Sequence, residues 1–395
     1  MLFQALDEKD KCVGIYMNGK IHKELPTGIT CTWKYSSFLK NFDIKYANIL
    51  CEGKSLSEVC PEELREDYER IWSKLKAFYK SFNISKISLQ DHCFFDLVPK
   101  GFLKEYCSIK DRITQHVIDT YREPSNYENM VQITKLVTDI KYQKLNIDLS
   151  VLNDDLSDTR TKEFYKKIYK TEPYIKYNAF GTKTGRLTTQ KYSFPILTMD
   201  KKYRKIIKPN NQWFVELDYN AAELRVLLGL LGEDQPQMDL HEYNALKLFK
   251  GDISRENAKK RIFSWLYNPN AKDEILSKLY DRETIKSEYW DGNKVQTTYH
   301  REIASDEYHA LNYIIQSTCS DLILDKAIII SEMLKGMKTK IAFIIHDSIV
   351  LDYADEDGSF INDVFWEFTD TPFGRFKTNV AGGKNFGEMK SLWIY

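Results

Sequence analysis

The sequence predicts an α+β fold, because strand-like and helix-like patterns occur in both halves of the chain. In the first 25 residues, short apolar runs alternate with turn residues, and Asn18-Gly19 is typical of a two-residue hairpin turn. Residues 61–82 place apolar side chains at helical spacing, with acids early and lysines late. Two further apolar runs, residues 213–217 and 341–345, have the length and composition of buried strands.

Length and composition indicate a folded protein of two or three domains, since 395 residues with 43% hydrophobic content can bury a substantial core. The sequence has no run of about 18 apolar residues, and its start, MLFQALDEKDKC, lacks the features of a signal peptide. We therefore expect no membrane association and a cytoplasmic location. The seven cysteines form no C-x2-C pair, so we expect reduced, mostly buried thiols without a disulfide framework or a zinc site.

Charge is unevenly distributed along the chain, although the formal net charge is zero. From Arg160 to Lys208 the sequence has fourteen Lys or Arg residues and three acids. Tyrosines are interleaved with these basic residues, among them Tyr165, Tyr169, Tyr174 and Tyr177. A basic stripe with interleaved aromatic residues is typical of a surface that binds nucleic acid. The alternative is a solvated basic helix.

Two aspartates lie where apolar strands end. Asp218 follows the run at residues 213–217, and Asp347 lies in a predicted turn between two apolar strands. Carboxylates placed in this way can hold a pair of metal ions, and Mg²⁺ prefers oxygen ligands. For each aspartate alone, the alternative is a structural cap, of a helix at Asp218 and of a turn at Asp347.

Between these aspartates, four residues at intervals of four form one stripe on a predicted helix: Arg255, Lys259, Phe263 and Tyr267. Each step advances about 40° around a helix, so the two cations and then the two aromatic rings share a continuous surface. The cations could bind a triphosphate while the rings contact a base and a sugar. The alternative for Phe263 and Tyr267 is that they are core residues of an amphipathic helix.

These segments resemble motifs of the family A (polymerase I type) DNA polymerases. Residues 218–225, DYNAAELR, resemble motif A, residues 255–267 match the fingers-helix pattern R-x3-K-x3-F-x3-Y, and residues 344–348, IIHDS, resemble the H-D-E motif. Further matches are Thr184-Gly185-Arg186-Leu187, Asp239-Leu240-His241, Asn312-x3-Gln316 and Gly383-Lys384-Asn385-Phe386. Their order along the chain is that of the family, and they cover roughly residues 145–395.

The resemblance implies the site residues and cofactors. Asp218 and Asp347, with the Tyr219 carbonyl, would hold two Mg²⁺ ions, for which Mn²⁺ can substitute. Lys259 would join the two aspartates in catalysis by neutralising the leaving pyrophosphate. The implied dNTP-binding residues are Glu223, His241, Arg255, Lys259, Phe263 and Tyr267, and the implied DNA-binding residues are Thr184, Arg186, Asn312, Gln316 and His346. In the family, a glutamate at the Glu223 position, packed against the fingers tyrosine, occupies the space of a ribose 2′-hydroxyl, which implies dNTP substrates.

The resemblance also implies a right-hand polymerase fold with palm, fingers and thumb. We assign residues 106–183 to a shortened thumb, 184–233 and 306–395 to the palm, and 234–305 to the fingers. Residues 1–105 would form a small α+β domain that resembles a degenerate 3′-5′ exonuclease domain, with a strand at residues 47–53. In place of the family's Asp-x-Glu pair it has Asp7-Glu8 and Asp10. Adjacent acids on a strand point to opposite faces, so we expect no proofreading.

Three features depart from the family pattern. Ser348 replaces the glutamate of H-D-E, which removes a carboxylate that supports the metal site. Asn268-Pro269 replaces the glycine after the fingers tyrosine, so the helix is expected to end there. The segment between Tyr267 and Asn312 is short, and a hairpin is predicted around Asp291-Gly292.

These observations predict a compact, template-directed DNA polymerase that adds dNMP to a primer 3′ end by two-metal-ion phosphoryl transfer. Primer-template DNA and dNTPs are the expected partners, replisome proteins are further candidates, and we expect a monomer. The small size resembles phage enzymes, which implies the cytoplasm of a bacterium or virus-infected host cell. Two alternatives are a weak or inactive polymerase fold that binds nucleic acid in a replication complex, and a template-independent nucleotidyltransferase.

Overall fold

The computed structural model describes residues 1–268 and 270–392, which fall into two compact units, Met1–Tyr142 and Gln143–Tyr395. Each unit mixes helices and strands, which confirms the predicted α+β class. Within the described residues, no helix has the length and apolar character needed to cross a membrane.

The first unit combines short strands with long helices. Its strands are β1 (Gln4–Ala5), β2 (Ile15–Met17), β3 (Lys20–His22), β4 (Cys31–Thr32) and β5 (Lys45–Tyr46), and its helices are α1 (Ala47–Leu50), α2 (Arg65–Ile84), α3 (Lys100–Thr120) and α4 (Tyr127–Lys141). β1, β2 and β3 form an antiparallel sheet, and β4 pairs with β5 in parallel. The predicted turn at Asn18-Gly19 is confirmed, because both residues have positive φ and connect β2 to β3.

Two local predictions for this unit have opposite outcomes. The predicted helix at residues 61–82 is confirmed as a short 3-10 turn followed by α2, which buries Tyr68, Ile71 and Leu75. The predicted strand at residues 47–53 is wrong, because residues 47–50 form α1, whose four residues are all buried. A short buried apolar run has the same composition in a helix and in a strand, so the pattern did not decide between them.

A disulfide joins Cys12 to Cys93, with their Cα atoms 5.5 Å apart. The prediction that all seven cysteines are reduced is therefore wrong for this pair. The two residues are 81 positions apart and meet beside a cluster of buried apolar side chains that includes Phe82, Phe95 and Leu103. Tertiary packing brings them together, which sequence spacing does not reveal. The other five cysteines are free and buried, as predicted.

The acids Asp7 and Glu8 lie just after β1, where the chain bends, and each is bound by lysine. Lys9 pairs with Asp7 at 3.0 Å, and the Phe94 amide donates to the same carboxylate at 2.9 Å. Glu8 pairs with Lys34 at 2.6 Å and also with Lys141. Burial favours the protonated form of Glu8, but the two lysines outweigh this effect and hold its pKa well below the usual range. Both carboxylates are therefore already neutralised within the protein.

The second unit contains the remaining elements. Its strands are β6 (Asn146–Ile147), β7 (Tyr177–Asn178), β8 (Thr188–Thr189), β9 (Ile207–Lys208), β10 (Trp213–Tyr219), β11 (Lys294–Gln296), β12 (Glu302–Ala304), β13 (Lys340–Ile345), β14 (Ser348–Tyr353), β15 (Asp370–Thr371), β16 (Gly374–Arg375), β17 (Thr378–Gly383) and β18 (Lys390–Ser391). Its helices are α5 (Thr159–Tyr169), α6 (Ala222–Leu230), α7 (Leu240–Tyr243), α8 (Arg255–Tyr267), α9 (Glu274–Leu279), α10 (Arg282–Tyr289), α11 (Glu307–Met333) and α12 (Phe360–Thr369), with a π-helical turn at Asn244–Leu248.

An antiparallel sheet of order β13-β14-β10-β17-β18 forms the centre of this unit. β10 is the middle strand, and its register places Asp218 opposite Ser348 on one side and opposite Asn379 on the other. Directly paired residues of an antiparallel sheet point to the same face, so these three side chains share one surface. The long helix α11 packs against α6, α12 and the strands β13 and β14.

A second apolar cluster surrounds α8. It contains residues of α6, α8, α9, α10 and the start of α11, including Leu227, Ile262, Trp265, Leu276 and Ile314. α8 buries Ala258, Ile262, Trp265 and Leu266, and it ends at Tyr267 as predicted. Asn268 has extended backbone angles after the helix, and Pro269 lies outside the described residues.

The predicted hairpin around Asp291-Gly292 is only partly correct. Asp291 accepts hydrogen bonds from the amides of Asn293 and Lys294, so a tight turn does form there, closing one isolated pair between Trp290 and Val295. The longer pairing joins β11 to β12, and its connection is residues 297–301.

Candidate functional site

A cavity of about 330 Å³ opens at the end of β10, between the central sheet and the helices around α8. Its lining residues are Arg186, Asp218, Tyr219, Asn220, Ala221, Ala222, Glu223, His241, Arg255, Lys259, Phe263, Cys319, Ser320, His346, Asp347 and Asn379. These residues come from seven separate parts of the sequence, so the cavity exists only in the folded unit.

Most of the residues predicted from sequence line this cavity. All of the predicted catalytic and metal residues do so, as do the predicted dNTP residues except Tyr267. Of the predicted DNA-binding residues, Arg186 and His346 line it, whereas Thr184, Asn312 and Gln316 lie outside its lining. Asn220, Ser320 and Asn379 line it but were not predicted. For Asn379 no local signal exists, because only the pairing of β17 with β10 brings it beside Asp218.

The two aspartates meet because their strands are neighbours. Asp347 lies in the two-residue connection between β13 and β14, and the Tyr219 amide donates to its carbonyl at 3.5 Å. His346 and Ala221 both have positive φ, at 52° and 55°, so the chain reverses tightly on each side of the acid pair. Positive φ is unfavourable for residues other than glycine and is often found at functional sites.

Neither aspartate forms an ion pair with another residue in the part of the chain that the structure describes. Burial raises the pKa of Asp218 to about 7, and the negative charge of Asp347 contributes to this increase. Burial also raises the pKa of Asp347. The closest polar support for Asp218 is the Asn379 side-chain amide, which donates to it at 3.3 Å. Two partly buried carboxylates are therefore placed together without an ion-pair partner among the described residues, and cations such as Arg186 and Lys259 act on Asp347 only from a longer distance.

This donor set fits a hard divalent cation. Carboxylate and carbonyl oxygens are the ligands that Mg²⁺ prefers, and Tyr219 lines the cavity together with the two aspartates. No cluster of three or more His, Cys, Asp or Glu side chains suited to a metal ion occurs among residues 1–268 and 270–392. Protein ligands to such a cation would therefore be two carboxylates and a backbone carbonyl, with the remaining positions left for substrate oxygens and water.

Basic and polar groups from α7 and α8 line the cavity beside the acid pair. Lys259 forms no ion pair with any described residue. Arg255 donates two hydrogen bonds to Asp239, at 3.0 and 2.7 Å, and also pairs with Glu256. His241 is 4% exposed, and burial lowers its pKa to about 4, so it is neutral at pH 7. Its Nδ1 is buried and has no hydrogen-bond partner among the described residues.

A buried arginine fixes the loop that carries Asp239. Arg225 is fully buried and donates hydrogen bonds to the carbonyl oxygens of Asn220, Pro236 and Met238, at 2.6, 2.9 and 2.9 Å. The Asn220 side chain also donates to Asp239 at 2.8 Å. These contacts tie the end of β10 to the start of α7. Sequence reasoning did not identify this role, because two of the three carbonyl groups, those of Pro236 and Met238, are 11 and 13 residues away.

Glu223 is held from two sides. Arg186 donates to one of its carboxylate oxygens at 2.5 Å, and the Tyr267 hydroxyl donates to the other. The Tyr267 ring stacks against Phe263, with ring centroids 6.0 Å apart, and Phe263 in turn contacts His241. Tyr267 therefore reaches the cavity through Glu223, although it does not line it.

The loop that precedes Arg186 is supported by a buried ion pair. Arg301 donates two hydrogen bonds to Asp321 of α11, at 2.9 and 2.6 Å, and Asp321 is fully buried. Gly185 has φ of +75° and lies directly on the Arg301 guanidinium, where a Cβ atom would be 2.5 Å from Nη2. Glycine is therefore required at this position for both its backbone angle and its size.

Comparisons with known proteins gave one type of match. No family model and no curated protein matches the sequence. Among solved structures, the chain is similar to the POL domain of Pol1 from M. smegmatis, in a complex with DNA primer-template and dNTP, with 13% sequence identity and a TM-score of 0.46. The similarity covers 86% of this chain and 66% of the other, so the chain spans less than two thirds of that protein's length.

Proposed function

We propose that this protein is a template-directed DNA polymerase of the family A type that extends a primer with dNMP units. One observation carries the proposal: Asp218 and Asp347 share a cavity with Lys259 and Arg255. Carboxylates opposite cations are the arrangement needed to position a triphosphate for in-line attack at its α-phosphorus. The palm would be built on the central sheet, and the fingers on the cluster around α8.

The acid pair would bind two Mg²⁺ ions, with the Tyr219 carbonyl as an additional ligand. When bound, these ions would neutralise charge on the triphosphate and favour ionisation of the primer 3′-hydroxyl. Asp218 and Asp347 would supply the negative charge that this requires, and the charge of Asp347 disfavours ionisation of Asp218 until a cation is bound.

The triphosphate would be bound by the cationic and polar groups of α7 and α8. Lys259, which is free of ion pairs with described residues, would contact the leaving pyrophosphate and could donate a proton to it. Neutral His241 would donate a hydrogen bond to a phosphate oxygen from its otherwise unpartnered ring. Arg255 would replace one of its hydrogen bonds to Asp239 by a hydrogen bond to a phosphate oxygen, because a planar guanidinium group binds carboxylate and phosphate oxygens equally well.

The sugar would be selected by Glu223. Its carboxylate is 16% exposed and is fixed by Arg186 and Tyr267, so it is a rigid wall of the cavity. A 2′-hydroxyl directed at this wall would clash with it, whereas a 2′-deoxyribose would fit. Phe263 and Tyr267 would place the base, since their rings are stacked beside the same wall.

Primer-template DNA would bind the basic segment between Arg160 and Lys208. α5 carries exposed lysines on its surface, and Tyr165 stacks on Tyr169, which is 74% exposed. Lysines neutralise phosphates, and exposed aromatic rings add stacking contacts. Thr184, Asn312 and Gln316 would contact the primer-template duplex near the cavity, and His346 the primer terminus. Residues 1–105 would serve as an exonuclease-like remnant without proofreading, because lysines neutralise Asp7 and Glu8.

Primer extension with Mg²⁺ and all four dNTPs, with and without a template strand, tests this proposal. We expect template-dependent incorporation of the complementary nucleotide. Extension of the single strand at an equal rate would indicate a template-independent nucleotidyltransferase. Binding of the duplex without incorporation, with Mg²⁺ or Mn²⁺, would indicate a polymerase fold that acts only in binding.

A further inference from the structure

Glu216 adds a third carboxylate near the acid pair that lines the cavity. It lies two residues before Asp218 on β10, so the alternation of a strand places both side chains on the same face of the sheet. The part of the chain that the structure describes offers Glu216 no ion-pair partner. Nothing in the sequence motifs assigns it a role.

A buried hydroxyl orients this carboxylate. Ser348 is 3% exposed and lies opposite Asp218 in the sheet, and its Oγ lies 3.1 Å from both Glu216 Oε1 and the Ile345 carbonyl oxygen, to either of which it can donate. Ser348 is also the residue that replaces the glutamate of the H-D-E motif. The position of the motif glutamate therefore carries no carboxylate in this chain. The serine at this position instead contacts the carboxylate of Glu216 on the same face of the sheet.

Glu216 does not complete a coordination shell. The described residues contain no three-membered acid, His or Cys group suited to one metal ion, so Glu216 is too far from the pair to be a common ligand. Its charge nevertheless acts over the length of two strand residues, about 6–7 Å, where a carboxylate still attracts a divalent cation. A ligand at this place is indicated independently by His241, which lines the same cavity with a buried and unpartnered Nδ1.

We propose that Glu216 is a positioning residue of the cation site: held by Ser348, it supplies a third negative charge that strengthens cation binding by Asp218 and Asp347 without being coordinated. The inference rests on the proposed function, because it assumes that the acid pair binds cations. A charge on Glu216 would replace the negative charge that the glutamate of the H-D-E motif supplies, which Ser348 does not.

The test uses Mn²⁺ as the probe, titrated into the full-length protein by calorimetry without nucleotide and then with a 3′-dideoxy-terminated primer-template and dNTP. Glu216→Gln should weaken Mn²⁺ binding about tenfold. In extension assays the same change should raise the half-saturating metal concentration, while kcat at saturating metal stays within about threefold of wild type. Glu233→Gln is the matched control, since Glu233 is exposed and has no ion pair among the described residues.

A relocated charge separates this role from a structural one. Ser348→Glu, made in the Glu216→Gln background, returns a carboxylate to the same face and should restore most of the Mn²⁺ affinity. Unchanged Mn²⁺ affinity in Glu216→Gln would overturn the inference. The inference would also be overturned if Glu216→Gln lowered the melting temperature of the metal-free protein and Ser348→Glu did not restore its Mn²⁺ affinity. If wild type binds no Mn²⁺ in the first place, or if Asp218→Ala binds it normally, the proposed function fails instead.

Discussion

The two units of this protein each contain a pair of acids that are close in space, and the negative charges of the two pairs are compensated differently. In the first unit, Asp7 is bound by Lys9, and Glu8 is bound by Lys34 and Lys141. In the second unit, Asp218 and Asp347 have no ion pair with any residue that the structure describes, and burial raises the pKa of both. The pKa of Glu8 is shifted in the opposite direction.

This difference indicates which pair can bind an external cation. A buried carboxylate is costly unless a charge or hydrogen bonds compensate it. Lysines provide that compensation within the first unit, so a metal ion would have to displace them. In the second unit no ion pair provides that compensation, and cations such as Lys259 and Arg186 offset the charge of Asp347 only in part, so a proton or a bound cation would complete it. Sequence alone indicates that the adjacent acids of the first unit are a poor metal clamp, and the positions of the lysines show that these acids are already paired.

The largest expected effect is loss of extension on removal of one acid of the second pair. Asp218→Ala or Asp347→Ala should lower the single-turnover rate of dNMP incorporation by roughly a thousandfold or more, because each removes a metal ligand. Binding of duplex DNA should change little, since the basic surface is intact. Asp7→Ala is the matched control and should leave the rate unchanged. A tenth or more of the wild-type rate in either variant would contradict the assignment.

Sugar selection should respond next most strongly. Glu223→Ala opens space beside the sugar, so the ratio of kcat/KM for a dNTP to that for the matching rNTP should fall by roughly ten- to a thousandfold. Both substrates are measured on one primer-template. Asp218 is not altered, so incorporation of dNTP should persist. A variant with normal dNTP use and an unchanged ratio would show that Glu223 does not face the sugar.

Removal of an acid from the first unit should affect stability instead of activity. Glu8→Gln leaves Lys34 and Lys141 without their shared partner, so the free energy of unfolding should fall by about 2 kcal/mol. Because the pKa of Glu8 is lowered in the folded protein, its contribution is present at neutral pH and is lost as the pH falls through the acidic range. Urea denaturation at pH 7 and at pH 4 measures both effects.

A mismatched primer should remain undegraded by wild type, and metal-dependent degradation that Asp7→Ala abolishes would contradict this account.

A stability effect of similar size concerns His241, whose folded-state pKa of about 4 lies below its ordinary value of 6.5. The unfolded chain takes up a proton between these values and the folded protein does not. Stability should therefore fall as the pH decreases through this window, by about 2 kcal/mol between pH 7 and pH 5. His241→Gln should reduce this loss. An equal pH dependence in both proteins would show that His241 is not held neutral by burial.

Local periodicity predicted much of the second unit. β10, α8 and the strands on each side of Asp347 were predicted correctly, because the apolar pattern of each lies within one short stretch of sequence. The Cys12–Cys93 disulfide, the helix at Ala47–Leu50 and the Asn379 contact did not follow, because each depends on segments that meet only after folding. The lysine partners of Glu8 were missed for the same reason, since Lys141 is 133 residues away in sequence.

Counting bound Mn²⁺ by electron paramagnetic resonance tests the difference between the two acid pairs most directly. Wild type would be compared with the Asp218→Ala, Asp347→Ala double variant and with Asp7→Ala, each with dNTP and a 3′-dideoxy-terminated primer-template. We expect two ions in wild type and in Asp7→Ala, and none at this site in the double variant. Retention of both ions by the double variant, or their loss from Asp7→Ala, would contradict the proposal that the second acid pair is the cation site.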